Sequence, residues 1–191
     1  MLYGTRAGVA GASSLLLTQA TVGVADEPDA NDRFGLEITT GDLDGNGRDD
    51  LVVGAPFEFF GGATAAGALH VLYGTARGLV TAGSQLLTQN SSGIADTAES
   101  GDLFGRSLSS ADLDRDGCAD LVVGVPGEDF GGLADAGVVE VLHGTGRGVT
   151  TSASQMISEA TPGLTGPAEA DSGFGRPGTG ITWLPGTTDV I

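Results

Sequence analysis

The chain has 191 residues, 25 of them acidic and 8 basic, and all eight basic residues are Arg, giving a formal charge of −17. That length supports one ordinary domain with a sizeable core, and so acidic a chain offers no basic footprint for nucleic acid or an anionic lipid surface. Glycine is abundant at 34 residues, yet 40% of the chain is apolar and comes in short Val/Leu runs, which points to packed β structure with tight turns rather than disorder.

The first predicted strands close a partial unit at residues 1–19, which opens with Leu2-Tyr3-Gly4-Thr5. Leu15-Leu16-Leu17 lies within it, without the basic flank or small-residue cleavage site of a signal peptide. No apolar run is long enough to cross a bilayer, so no membrane insertion is expected. The opening tetrad returns as Leu72-Tyr73-Gly74-Thr75 and then as Leu142-His143-Gly144-Thr145. Phe34-Gly35 likewise returns as Phe104-Gly105 and Phe174-Gly175, and Asp42-Leu43-Asp44 as Asp112-Leu113-Asp114. Every step is 70 residues. Residues 2–70 match 72–140 at 33 of 69 positions, far beyond chance, so the sequence is a duplication.

A complete unit follows at 34–89, with four predicted strands. Phe34–Gly41 leads into an acidic loop, Leu51-Val52-Val53 is a short β-branched run, Ala68–Tyr73 is a third strand and Gln85–Thr88 a fourth. Gly61-Gly62 and Gly131-Gly132 punctuate the connection from second to third strand, where turns need positive φ. A second complete unit covers 104–158, and a partial one at 174–178 supplies only the Phe174-Gly175 strand. Residues 179–191 leave the repeat as a divergent tail. Four short antiparallel strands, repeated, describe the blade of a β-propeller, whereas the rungs of a parallel solenoid are shorter than 70 residues. The expected fold is all-β: an incomplete propeller of about two full blades plus partial ones, with unpaired blade faces that favour self-association.

The acidic loop of the first complete unit runs Asp42-Leu43-Asp44-Gly45-Asn46-Gly47-Arg48-Asp49-Asp50, and its copy Asp112-Leu113-Asp114-Arg115-Asp116-Gly117-Cys118-Ala119-Asp120. Both fit D-x-D-x-[DN]-G-x-x-D. Oxygen side chains at positions 1, 3, 5 and 9 converge because Gly at position 6 permits a sharp turn, and the carbonyl at position 7 can point inward. The candidate metal ligands are Asp42, Asp44, Asn46, Arg48 (through its carbonyl) and Asp50, then Asp112, Asp114, Asp116, Cys118 (through its carbonyl) and Asp120. Hard oxygen donors in that number suit Ca²⁺. An EF-hand fails, because position 12 is Val53 or Val123 and the flanks are β. Solvated acidic turns without metal are the plain alternative, and the second copy weighs against it.

Phe-Gly, the acidic loop, Leu51–Pro56 with its copy Leu121–Pro126, and then Ala66-Gly67-Ala68 with Ala136-Gly137-Val138, together resemble the FG-GAP repeat of integrin α-subunit propellers and their bacterial relatives. The resemblance covers about residues 1–178. It implies a seven-bladed propeller with Ca²⁺ loops between the first two strands of certain blades, and an extracellular or cell-surface binding or adhesion role toward a protein or carbohydrate ligand. Such propellers also accompany secreted hydrolases of the phospholipase D-like kind, which leaves a non-catalytic propeller fragment of a larger enzyme as the alternative. A third loop is missing: Thr182, Leu184, Gly186 and Val190 stand where Asp42, Asp44, Asn46 and Asp50 stand.

Catalysis needs convergent acid and base groups, and only His70 and His143 exist. His70 aligns with Glu140, and His143 replaces Tyr3 and Tyr73, so both read as packing residues. No G-x-S-x-G marks a nucleophile elbow, and Gly144-Thr145-Gly146-Arg147-Gly148 reads as a turn rather than a phosphate loop. Glu58 and Glu128 recur beside Phe60 and Phe130 in a loop that reads as structural before it reads as a binding face. Cys118 is the only cysteine, which excludes an internal disulfide, and no thiol chemistry is expected of it. The chain therefore reads as a non-enzymatic module.

Overall fold

A computed structural model describes residues 3–6, 8–11, 14–164 and 167–178. β1 (Tyr3–Thr5) and β2 (Gly8–Ala10) form a hairpin. The first complete unit holds β3 (Glu37–Gly41), β4 (Asp50–Ala55), β5 (Ala68–Leu72), a small hairpin of β6 (Gly74–Thr75) and β7 (Gly78–Leu79), and β8 (Gln85–Leu87). The second holds β9 (Ser107–Ala111), β10 (Asp120–Val125), β11 (Val138–His143) and β12 (Thr150–Ile157). No helix occurs among the described residues. Two four-stranded sheets, ordered β3-β4-β5-β8 and β9-β10-β11-β12, are antiparallel throughout. They are blades of a propeller, left open.

Strand alternation explains how the blades stack. β4 turns Val52 toward the second blade and Leu51 and Val53 toward the preceding segment, so it is buried on both faces. The main core lies between the two blades. It combines Val52, Leu69, Val71 and Leu87 of the first with Leu121, Val123, Val125, Val138 and Leu142 of the second. Val122, Val139 and Val141 turn outward, and Ile157 and Phe174 pack on them. β3 lies beside β9, with Thr39 Oγ1 3.2 Å from Ser110 Oγ and Ser110 Oγ donating to Thr40 O at 2.7 Å.

The Phe-Gly dipeptide departs from the sequence expectation. Phe34-Gly35 and Phe174-Gly175 lie in turns, and the first strand begins only at Glu37. Gly35, Gly105 and Gly175 have φ of 85°, 83° and 87°, a left-handed backbone that cannot continue a strand. The resulting bend drives the aromatic ring between blades, and Phe104 is fully buried in the main core. The tail at 179–191, including Thr182, Leu184, Gly186 and Val190, lies outside the described residues, as do residues 1–2, 7 and 12–13 of the first partial blade.

Candidate metal centre

The first acidic loop joins β3 to β4 at one end of the blade. Gly45 and Gly47, at φ 68° and 81°, let the chain curl back on itself. Asp42 accepts the amides of Asn46 (2.9 Å) and Gly47 (2.7 Å), and Asp44 accepts Asn46 N at 3.1 Å. Asp50, fully buried at the start of β4, accepts Leu43 N at 2.8 Å and Gly74 N at 2.7 Å. Carboxylate oxygens of Asp42, Asp44 and Asp50 come within 4.8 Å of one another. Burial pushes the Asp50 carboxyl above the usual range, the Gly74 and Leu43 amides pull it back, and Asp44 and Asp42 add repulsion. Asn46 donates its side-chain amide to Gly74 O at 3.1 Å, and the Arg48 guanidinium donates to Asn46 O at 3.2 Å.

The second loop, between β9 and β10, repeats the design with a difference. Asp112 accepts Gly117 N (3.2 Å), Asp114 accepts Asp116 N (3.1 Å) and Asp116 accepts Cys118 N (2.8 Å). Oxygens of Asp112, Asp114 and Asp116 gather within 4.8 Å. Asp112 Oδ1 is buried without a hydrogen-bond partner, which costs free energy unless something positive faces it. That orphaned oxygen and the all-oxygen donor sets fit a hard divalent cation such as Ca²⁺. Asp120, fully buried, accepts Leu113 N at 2.8 Å and Gly144 N at 3.1 Å. It groups with Asp114 and His143 rather than with Asp112 and Asp116.

Cys118 is buried, and burial first, then Asp116, pushes its thiol up. Glu58 and Glu128 sit at the opposite end of the blades, in the connections from second to third strand, and both are buried. Gln19 donates to Glu58, and Gln89 to Glu128, each at 2.6 Å. They tie each blade to the segment before it. His70 is fully buried with its ring edge-on to Phe34, centroids 5.1 Å apart, a packing residue as expected. His143 departs from that expectation: its Nδ1 is 3.1 Å from Asp120 Oδ1 and 3.8 Å from Asp114 Oδ2. The signal was available in the register, because His143 is the last residue of β11, at the end of the strand that abuts the loop.

The FG-GAP repeat matches residues 34–72 and 104–142. The chain is 35% identical over 124 residues to the phosphatidylinositol-glycan-specific phospholipase D of Mus musculus, a match covering 65% of this chain and 14% of that protein. It is 32% identical over 150 residues to integrin alpha-8 of Mus musculus, covering 74% and 12%. With integrin alpha-PS2 of Drosophila melanogaster it shares 33% over 129 residues, covering 65% and 9%. The matched stretch is thus a small fraction of each relative's length.

Proposed function

From a chain that carries two FG-GAP repeats, we propose an integrin-like β-propeller module, held in shape by Ca²⁺, that recognises a protein or carbohydrate ligand through its loops. It has no catalytic role of its own and works outside the cell or at its surface. The observation that carries this reading is the pair of acidic loops in one register, each with three carboxylates inside 4.8 Å. Asp42, Asp44, Asn46, Asp50 and the Arg48 carbonyl would hold one ion; Asp112, Asp114, Asp116, Asp120 and the Cys118 carbonyl the other. Bound Ca²⁺ supplies charge neutralisation, and the loops then stay folded against the ends of β5 and β11. The second loop carries four carboxylates and the first three, so once Asp120 joins the three that already gather, the second site at equal rigidity is the tighter.

Calcium titration by calorimetry on the chain tests this, paired with melting in the presence of chelator. Two binding events are expected, each stabilising the fold by about 2.7 kcal/mol when free Ca²⁺ is a hundredfold above its Kd. Asp44→Ala and Asp114→Ala each remove one event. Absence of heat at millimolar Ca²⁺, with a melting temperature indifferent to chelator, would reduce both loops to acidic turns.

The similarity to phosphatidylinositol-glycan-specific phospholipase D favours a second reading, in which the same blades are the non-catalytic part of a larger secreted hydrolase. Sequencing the coding region on either side distinguishes the two.

A further inference from the structure

We propose that His143, Asp114 and Asp120 form a site for a borderline transition metal, Zn²⁺ being the type case, which has no counterpart in the first loop. The site arises from one substitution in the repeat. At the equivalent position Tyr73 sends its hydroxyl away from its own loop: it donates to Gln85 Oε1, and Val149 N donates to it at 3.0 Å. A histidine ring is shorter and cannot make that reach. Instead Nδ1 of His143 faces back over the second loop, 3.1 Å from Asp120 Oδ1 and 3.8 Å from Asp114 Oδ2. Donor atoms of all three residues lie within 4.8 Å of one another.

These separations suit a small ion. Zn²⁺ bonds of about 2.0–2.2 Å in a tetrahedron place neighbouring donors roughly 3.3–3.6 Å apart, and the two measured distances bracket that range. The chemistry also differs from the first loop. An imidazole nitrogen with two carboxylates selects Zn²⁺ or its neighbours, whereas oxygen-only donors suit Ca²⁺. Asp120 is fixed beforehand by the amides of Leu113 and Gly144. On the far side of the ring, Gln155 stands 3.5 Å from Nε2; with its amide oxygen turned inward it accepts the Nε2 proton that a ring bound through Nδ1 must carry. Access is from one side, since the Asp114 side chain is 46% exposed while Asp120 is sealed, and water from that side completes the coordination.

The site shares Asp114 and Asp120 with the calcium reading of the second loop, and to that extent rests on it. Zn²⁺ and Ca²⁺ should therefore compete at the second loop and ignore each other at the first. The test is Zn²⁺ titration of the full chain, followed by calorimetry and by long-range proton–nitrogen NMR of its two histidines. Saturating Zn²⁺ should shift Nδ1 of His143 and leave the buried His70 unmoved. His143→Tyr, which restores the residue found in both other copies, should weaken Zn²⁺ at least tenfold and keep Ca²⁺ binding. Asp44→Ala should leave Zn²⁺ binding as it was. An unmoved His143 resonance at saturation overturns the proposal in the unmodified chain, whatever the variant does. Equal Zn²⁺ affinity in His143→Tyr also overturns it. If Zn²⁺ shifts His143 while Ca²⁺ gives no heat, the calcium reading fails and this one stands.

Discussion

A carboxylate sealed between blades must find a donor or take up a proton, and Glu128 does some of each. It is 2% exposed, with Gln89 donating at 2.6 Å. Burial, then the charges of Asp102 and Asp96, push its carboxyl up to about 8. Glu58 rises to about 7 by burial, against the opposing Gln19 donor. Glu140 also reaches about 7 by burial, with both oxygens unpartnered. Between the usual carboxylate range and these values the folded chain holds more protons than the unfolded one, so stability falls as pH rises. Lowering pH from 8.5 to 6.5 should therefore stabilise the protein, with about 2 kcal/mol from Glu128 alone. Below the ordinary histidine value His70 opposes this trend, because burial holds its ring neutral. Denaturant midpoints measured across that pH interval check the slope. Glu128→Gln should raise the midpoint at pH 8.5 and flatten the dependence; a steeper profile in the variant would contradict the assignment.

At the scale of the element, the turn that opens each blade acts as a plug. Phe104 N donates to Ala66 O at 2.9 Å, and Gly67, at φ 90°, lies so close that an added Cβ would stand 2.3 Å from Phe104 O. Phe104→Ala should cost about 3–5 kcal/mol, and Phe34→Ala less, since Phe34 is only partly buried. Gly67→Ala combines backbone strain with a backbone clash and should cost about 2 kcal/mol or more. Thermal unfolding of the three variants orders them. β4 and β10 were legible in the sequence because burial on both faces leaves an unbroken apolar run, and the acidic loops because their ligands are local. The Phe-Gly turn reads as strand in the sequence because Phe34 stands just before the Ile38-Thr39-Thr40 run, while the positive φ of its glycine accompanies a bond from the Gly35 amide to Gly54 O on the second strand, a partner 19 residues on that no local pattern announces. The Gln–Glu ties join residues 39 apart in different copies, a distance no local pattern encodes. His143 looked like packing because its partners sit across a strand pair.

For the whole molecule, the two blades are unequal in what covers them. Leu108 of β9 is packed against the shared core, while Ile38, at the same register on β3, is 60% exposed and Leu36 beside it 41%. β3 itself supplies the cover for β9, through Thr39 and Thr40 and the Glu37–Arg106 pair at 3.3 Å. The open face of β3 thus lacks the inner strand of a neighbour, and exposed apolar strand faces associate. The 191-residue chain should self-associate at micromolar concentration, and Ile38→Lys should shift it toward monomer; light scattering decides, and a compact parent monomer with cooperative unfolding sinks the idea. The ties between blades carry one more consequence, for the gene. Gln19–Glu58 and Gln89–Glu128 cross the boundaries of the copies, yet both obey the same 70-residue step. A recombination that adds or removes 70 codons rejoins a glutamine to a glutamate and a plug to its socket wherever the crossover falls. A crossover inside the 39-residue span of a tie, with a length change that is not a multiple of 70 codons, parts that glutamine from its glutamate. Copy number can therefore drift over generations at little cost to folding, while the length of the repeat stays pinned.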